Sequence, residues 1–95
     1  MDIKHIEKGG RGAFLVKGED GKRLAEMTYS AAGTTGFIID HTEVDGTLRG
    51  QGVGDKLLAA AVQHAREKRL KVFATCPFAL KKLQGSEEYK DVFGG

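Results

Sequence analysis

The chain has 95 residues and a mass of 10.2 kDa, which suits one domain of the usual ~100–150 residues and leaves nothing for a second. Apolar residues make up 40% and charged residues 29%, which excludes whole-chain disorder and promises a small core. Net charge is +2, too little to draw nucleic acid by bulk field. The single cysteine, Cys76, rules out an intramolecular disulfide and a metal site built from cysteines alone, and fits a reducing compartment. No basic stretch followed by an apolar one opens the chain, and nowhere do about 18 apolar residues run together. A soluble, cytoplasmic protein with no membrane partner is expected.

Glycines punctuate the chain at 9–12, 18–21, 33–36 and 46–54. Between the first two groups, Ala13-Phe14-Leu15-Val16 reads as a strand. Residues 22–29 alternate, with Ala25, Met27 and Tyr29 on one face and Glu26 and Thr28 on the other, the period of a half-buried strand. Residues 34–44, rich in β-branched and aromatic side chains, make a third, so a three-strand antiparallel meander is expected. From Gly52 the period lengthens: Val53, Leu57, Leu58, Ala61, Val62 and Ala65 form the apolar stripe of a helix of four to five turns. Residues 71–75 return to strand composition, predicting a fourth strand parallel to the third across a right-handed crossover. Pro77 suits the first position of a short closing helix, where its missing N–H costs nothing. The final Gly94-Gly95 is expected to fray. The fold class is mixed α/β with an antiparallel meander.

The most informative segment is Arg49-Gly50-Gln51-Gly52-Val53-Gly54, between a strand and the long helix. Unpaired amides of a first helical turn face outward there and attract an anion, and glycine lets the backbone come close to it. Asp55 stands where the dinucleotide fingerprint needs its third glycine, and no Gly-Lys-Ser/Thr follows, so neither familiar phosphate loop is present. What remains is Arg-x-x-Gly-x-Gly. Four glycines among residues 46–54, with six basic against two acidic side chains over residues 49–71, favour a phosphate site over a merely tight turn.

His41-Thr42-Glu43-Val44, then Arg49-x-x-Gly52-x-Gly54, a helix, and Thr75-Cys76-Pro77-Phe78 together resemble the compact GNAT-like N-acetyltransferases across about residues 10–93. The resemblance implies a mixed sheet with a cofactor helix and acetyl-CoA as cosubstrate. Its pyrophosphate would rest on the amides of residues 49–54 and its pantetheine would run along a splayed strand beside Val44. The reaction implied is acetyl transfer to an amine whose identity the sequence does not name, a small molecule or a protein lysine. The chain is some 50 residues short of a usual GNAT domain, lacking most of the acceptor-binding half. A monomer or weak dimer is expected.

Such a transfer needs a deprotonated nucleophile, a donor for the thioester oxygen and a proton for the departing thiolate. Cys76 falls at the N-cap of the closing helix, where the helix dipole favours thiolate; it could take the acetyl group, line the cosubstrate's sulfur, or fill the core. His41 and Glu43, two apart on a strand, share a face opposite Thr42 and Val44 and form a workable base, or a solvated sheet edge. His5 and His64 do not join them. Tyr89 is a candidate thiolate protonator or a packing residue. Arg49 and Lys56 flank the turn and could pair with phosphates; Lys81-Lys82 could meet the adenosine 3′-phosphate; Arg66, Lys68 and Arg69 read as a solvated helix face. No spacing suggests a metal site. Two competing functions are a non-catalytic acyl-CoA-binding module, and a nucleic-acid module betrayed by steep salt dependence.

Overall fold

A computed structural model describes residues 2–95. Five strands form one sheet in the order of the chain: β1 (Lys4–Lys8), β2 (Arg11–Lys17), β3 (Arg23–Ala32), β4 (Gly36–Val44) and β5 (Lys71–Ala74). The first four are antiparallel, and β4 and β5 are parallel, joined by α1 (Val53–Lys68). A second helix, α2 (Pro77–Gly85), follows β5, and short 3₁₀ turns occupy Gly46–Leu48 and Glu87–Tyr89.

The meander therefore has four strands where the sequence predicts three. The extra strand, β1, reads Lys-His-Ile-Glu-Lys and every residue in it is exposed, so it carries no apolar alternation from which a strand could be read. The parallel pair, the crossover helix and Pro77 at the start of α2 follow the sequence reading. So does the helical stripe: Val53, Leu57, Leu58, Ala61, Val62 and Ala65 are all buried. They pack on Phe14, Met27, Tyr29, Phe37 and Ile39 of the sheet, and Ala79 and Leu83 of α2 close the same core.

Two departures concern the C-terminal segment. Val92 is buried, Val72 N donates to Val92 O at 2.7 Å, and Gly94 N donates to Val72 O at 2.9 Å, so Gly94 is pinned beside β5. Arg66 is a clamp on that segment: its Nε and Nη2 donate to both Asp91 oxygens at 2.9 and 3.0 Å, and Nη2 also reaches Glu88 O at 2.7 Å. Forked charge-assisted pairing of this kind fixes geometry as well as adding attraction. It also holds the Asp91 carboxyl below its ordinary range.

One irregularity in β4 decides where the site residues point. Thr28 pairs with His41 but Tyr29 pairs with Ile39, which leaves Asp40 as the extra residue of a β-bulge. Asp40 settles outward, accepting from Thr28 Oγ1, from Ser30 Oγ at 3.4 Å and from Arg11 at 3.5 Å. The bulge shifts the alternation by one. Thr42 and Val44, opposite Met27 and Ala25, then join Phe37 and Ile39 on the α1 side, and His41 and Glu43 turn to the other face.

Candidate functional site

The strand-to-helix turn has the backbone that the glycines suggest. Gly50 and Gly52 have φ of 83° and 67°, a left-handed region that L side chains rarely enter, and a Cβ on either would meet nothing within 4 Å. Space in front of the backbone is open at both. Gly52 is the N-cap of α1, and the first helical bond runs from Lys56 N to Gly52 O at 3.1 Å. Among the described residues, the backbone hydrogen bonds around the turn leave the amides of Gly50, Gly52, Val53, Gly54 and Asp55 unclaimed. That is a set of donors at the positive end of a 16-residue helix.

Gly54 has a different reason. A Cβ there would come within 2.8 Å of Phe78 Cζ, so Gly54 lets α2 lie against the first turn of α1. The same contact brings Lys82 of α2 to Asp55 at 3.2 Å. Arg49, Gln51 and Lys56 are exposed around the turn, and Val53 is buried beneath it.

The thiol sits where β4 and β5 part. β4 and β5 pair from Gly36 and Lys71 to Ile39 and Ala74, then part. Ile39 O receives both Thr75 N at 2.9 Å and Cys76 N at 3.2 Å, after which the chain leaves the sheet for α2. The second half of β4, with Val44, runs on alone on that side. Cys76 caps α2, is 5% exposed, and donates from Sγ to Thr42 Oγ1 at 3.3 Å. The sequence reading missed Thr42 as a partner because only the bulge turns it inward.

His41 and Glu43 form a pair at 3.1 Å, exposed on the far face of β4. They flank Thr42 in sequence, so the imidazole and the thiol lie on opposite faces of the half of β4 that runs beyond its pairing with β5. Tyr89 packs half-buried against the core, and burial, with Glu88 and Asp55 adding to it, raises its hydroxyl above the ordinary range. His5 and His64 lie outside this pair and meet one another instead: the two rings lie 4.5 Å apart, in a cluster with Phe14 and Tyr29.

An open first helical turn after a parallel strand pair that parts, with a buried thiol at the point of parting, is the framework of an acyl-transfer enzyme. Comparison with known proteins agrees. A family model of GCN5-related N-acetyl-transferases matches residues 13–92. The chain belongs to this GCN5-related N-acetyltransferase family, and it is an acetyltransferase. A GCN5-like N-acetyltransferase candidate from Staphylococcus aureus, solved by NMR, is 41% identical over 99% of this chain and 88% of that one, with a TM-score of 0.77. Nourseothricin acetyltransferase is 27% identical over 68% of this chain and 39% of its own, at a TM-score of 0.56. A ribosomal-protein-alanine N-acetyltransferase from Brucella melitensis shares the fold at 19% identity and a TM-score of 0.61, covering 72% of this chain and 51% of that one. No curated protein matches the chain by sequence. Among the described residues no helix is long and apolar enough to cross a membrane.

Proposed function

We propose that this chain is a minimal domain that transfers acetyl from acetyl-CoA to a primary amine. The observation that carries the reading is the set of unclaimed amides at Gly50 and from Gly52 to Asp55, together with the parting of β4 from β5 just before Cys76. Residues 50–55 fit a pyrophosphate on three counts: unsatisfied donors, a helix's positive pole, and no side chain at Gly50 or Gly52 to obstruct it. Arg49 and Lys56 add charge at the rim. Val44, at the end of the half of β4 that has no β5 neighbour, would lie beside the path of the pantetheine arm.

Bound acetyl-CoA would supply an acetyl group activated as a thioester. The chain supplies the rest. His41, oriented by Glu43, takes the proton from the acceptor ammonium, so that nitrogen can bond the carbonyl carbon as the carbon–sulfur bond breaks. The Cys76 thiol, where β4 and β5 part, would supply the proton for the departing sulfur, with Thr42 fixing where that thiol points. This role needs no covalent acetyl-cysteine, and the intact mass of the protein after acetyl-CoA alone tests that point: a retained acetyl would route the group through Cys76 instead.

The decisive assay is free-thiol release from acetyl-CoA with polyamines and lysine peptides as acceptors. Turnover is expected with at least one. In Cys76→Ala it should fall by about a hundredfold or more, the usual loss of a general acid or base, while CoA affinity stays within about threefold. CoA binding with no thiol release from any amine would reduce the chain to an acyl-CoA-binding module.

A further inference from the structure

The turn accounts for the pyrophosphate and the parting of β4 from β5 for the pantetheine arm, but coenzyme A has a third part, an adenosine bearing a 3′-phosphate. The helix beside the turn presents features that the reading above does not use. Phe78, in the first turn of α2, is 36% exposed although its other edge packs against Gly54. Most large apolar side chains of this chain are buried; among the described residues Ile6 and Phe78 are the exposed ones. Beside the ring lies an open cleft of about 660 Å³, lined by Phe78, Lys81, Lys82, Gly85, Ser86 and Glu87.

The charge of this cleft is basic in effect. Glu87 is engaged by Lys90 at 2.8 Å, which spends its carboxylate away from the lysines of α2. Lys82 Nζ sits 5.9 Å from the centroid of the Phe78 ring and 3.2 Å from Asp55 Oδ1. Asp55 belongs to the first turn of α1, so Lys82 is held at the same turn that carries the open amides. Among the described residues no carboxylate pairs with Lys81. An exposed flat ring, two lysines and the turn with open amides thus adjoin one another. A purine offers the matching stacking face, and a phosphate monoester the matching charge.

We propose that α2 reads the adenosine 3′-phosphate end of the cosubstrate, with Phe78 as the stacking face for the base and Lys82, backed by Lys81, as the ligand of the 3′-phosphate. Asp55 is a positioning residue: it keeps the Lys82 ammonium at the mouth of the turn until the phosphate displaces it. The proposal rests on the turn being the pyrophosphate site, and the test separates the two.

Isothermal titration of CoA and of 3′-dephospho-CoA into the wild type, Lys82→Gln and Phe78→Leu, at one fixed salt concentration, decides it. Thermal unfolding of each variant checks that the fold is kept. The wild type should bind CoA about tenfold or more tightly than 3′-dephospho-CoA, the worth of one charge-assisted contact. Lys82→Gln should lower CoA affinity to that of 3′-dephospho-CoA and leave the latter unchanged. Phe78→Leu keeps apolar bulk against Gly54 but loses the flat face, and should weaken both ligands alike. Equal wild-type affinity for the two ligands overturns the proposal while leaving the pyrophosphate site standing. So does an equal loss for both in Lys82→Gln, which places the lysine on the pyrophosphate. Unchanged affinities in Phe78→Leu would remove the ring from the site, and no binding of either ligand would overturn the reading of the turn itself.

Discussion

The glycines of the strand-to-helix corner look alike in sequence and do different work. Gly52 is required by its backbone, at φ 67°, and the space before it is empty. Gly54 has ordinary helical backbone but no room, with Phe78 Cζ 2.8 Å from any Cβ. Substitutions should therefore separate. Gly52→Val introduces strain of about 1–3 kcal/mol in a region L residues avoid and puts a branched side chain before the amides, so CoA binding should be lost. Gly54→Ala should cost about 1–3 kcal/mol of stability by overpacking against the ring. Pairing it with Phe78→Ala should recover much of that stability, because the clash disappears with the ring. Chemical denaturation of the two single variants and the double one measures this coupling; strictly additive losses would mean that Gly54 and Phe78 do not press on each other. The sequence reading assigned both glycines to phosphate approach, since nothing in the letters tells a turn residue from a helix-contact residue. The thiol's hydroxyl partner was hidden for a related reason: Thr42 faces Cys76 only because Asp40 is bulged, and a bulge leaves no mark in the pattern of apolar residues.

Among the elements, β1 has the least apolar anchorage and the most polar one. Its inward contact is His5, stacked on Phe14 with ring centroids 4.3 Å apart and 9° between planes. His5 Nε2 lies 2.5 Å from Tyr29 Oη, and that hydroxyl donates to Glu7 at 3.1 Å, closing a chain from strand to strand and back. Burial raises Tyr29 far above its ordinary range, with the Glu7 contact adding to it, so the hydroxyl stays protonated and able to donate. Partial desolvation of the ring where it stacks on Phe14 lowers the His5 pKa below 6.5, and His64 beside it lowers it further against the opposing pull of Glu7. The unfolded chain thus takes up this proton at higher pH than the folded one. Stability from this group is complete above about pH 6.5 and falls as the pH drops through the window between the unfolded and folded values. Hydrogen exchange at residues 4–8 should accelerate selectively between about pH 7 and 5, ahead of exchange in α1, beyond the intrinsic pH trend. His5→Phe keeps the stacking, removes the charge, and should flatten that response. Equal pH sensitivity in β1 of wild type and variant would detach the effect from His5. The strand was invisible in the sequence because its hold depends on a histidine and a tyrosine meeting across the sheet, which no local period encodes.

At the scale of the molecule, the parts that follow from apolar periodicity were legible and the parts that follow from polar or terminal contacts were not. The helical stripe, the β3 face and the parallel crossover could be read because buried residues recur at fixed steps in the stripe and in β3, and β5 returns to strand composition after the helix. The C-terminal segment could not: Tyr89, Val92 and Phe93 are too few and too close to the end of the chain to set a period, and Arg66 looks like any solvated cation until Asp91 folds back on it. Yet this segment closes the molecule, because Val92 is 3% exposed within the same cluster that holds the α1 stripe and Cys76. The radius of gyration, 12.7 Å, against about 12 Å for a compact chain of this length, leaves no room for a loosely attached tail. In so small a core each element is a large fraction of the whole, so losing one should loosen the site as well. Val92→Ala should cost about 2 kcal/mol and lower the melting temperature by about 10 °C. The transition should stay single, with near-UV ellipticity and backbone signals lost together, because the tail and the Cys76 corner share one set of contacts. If Val92→Ala instead produced an early partial transition with Cys76 still protected from thiol reagents, the C-terminal segment would be an appendage docked on a core complete without it.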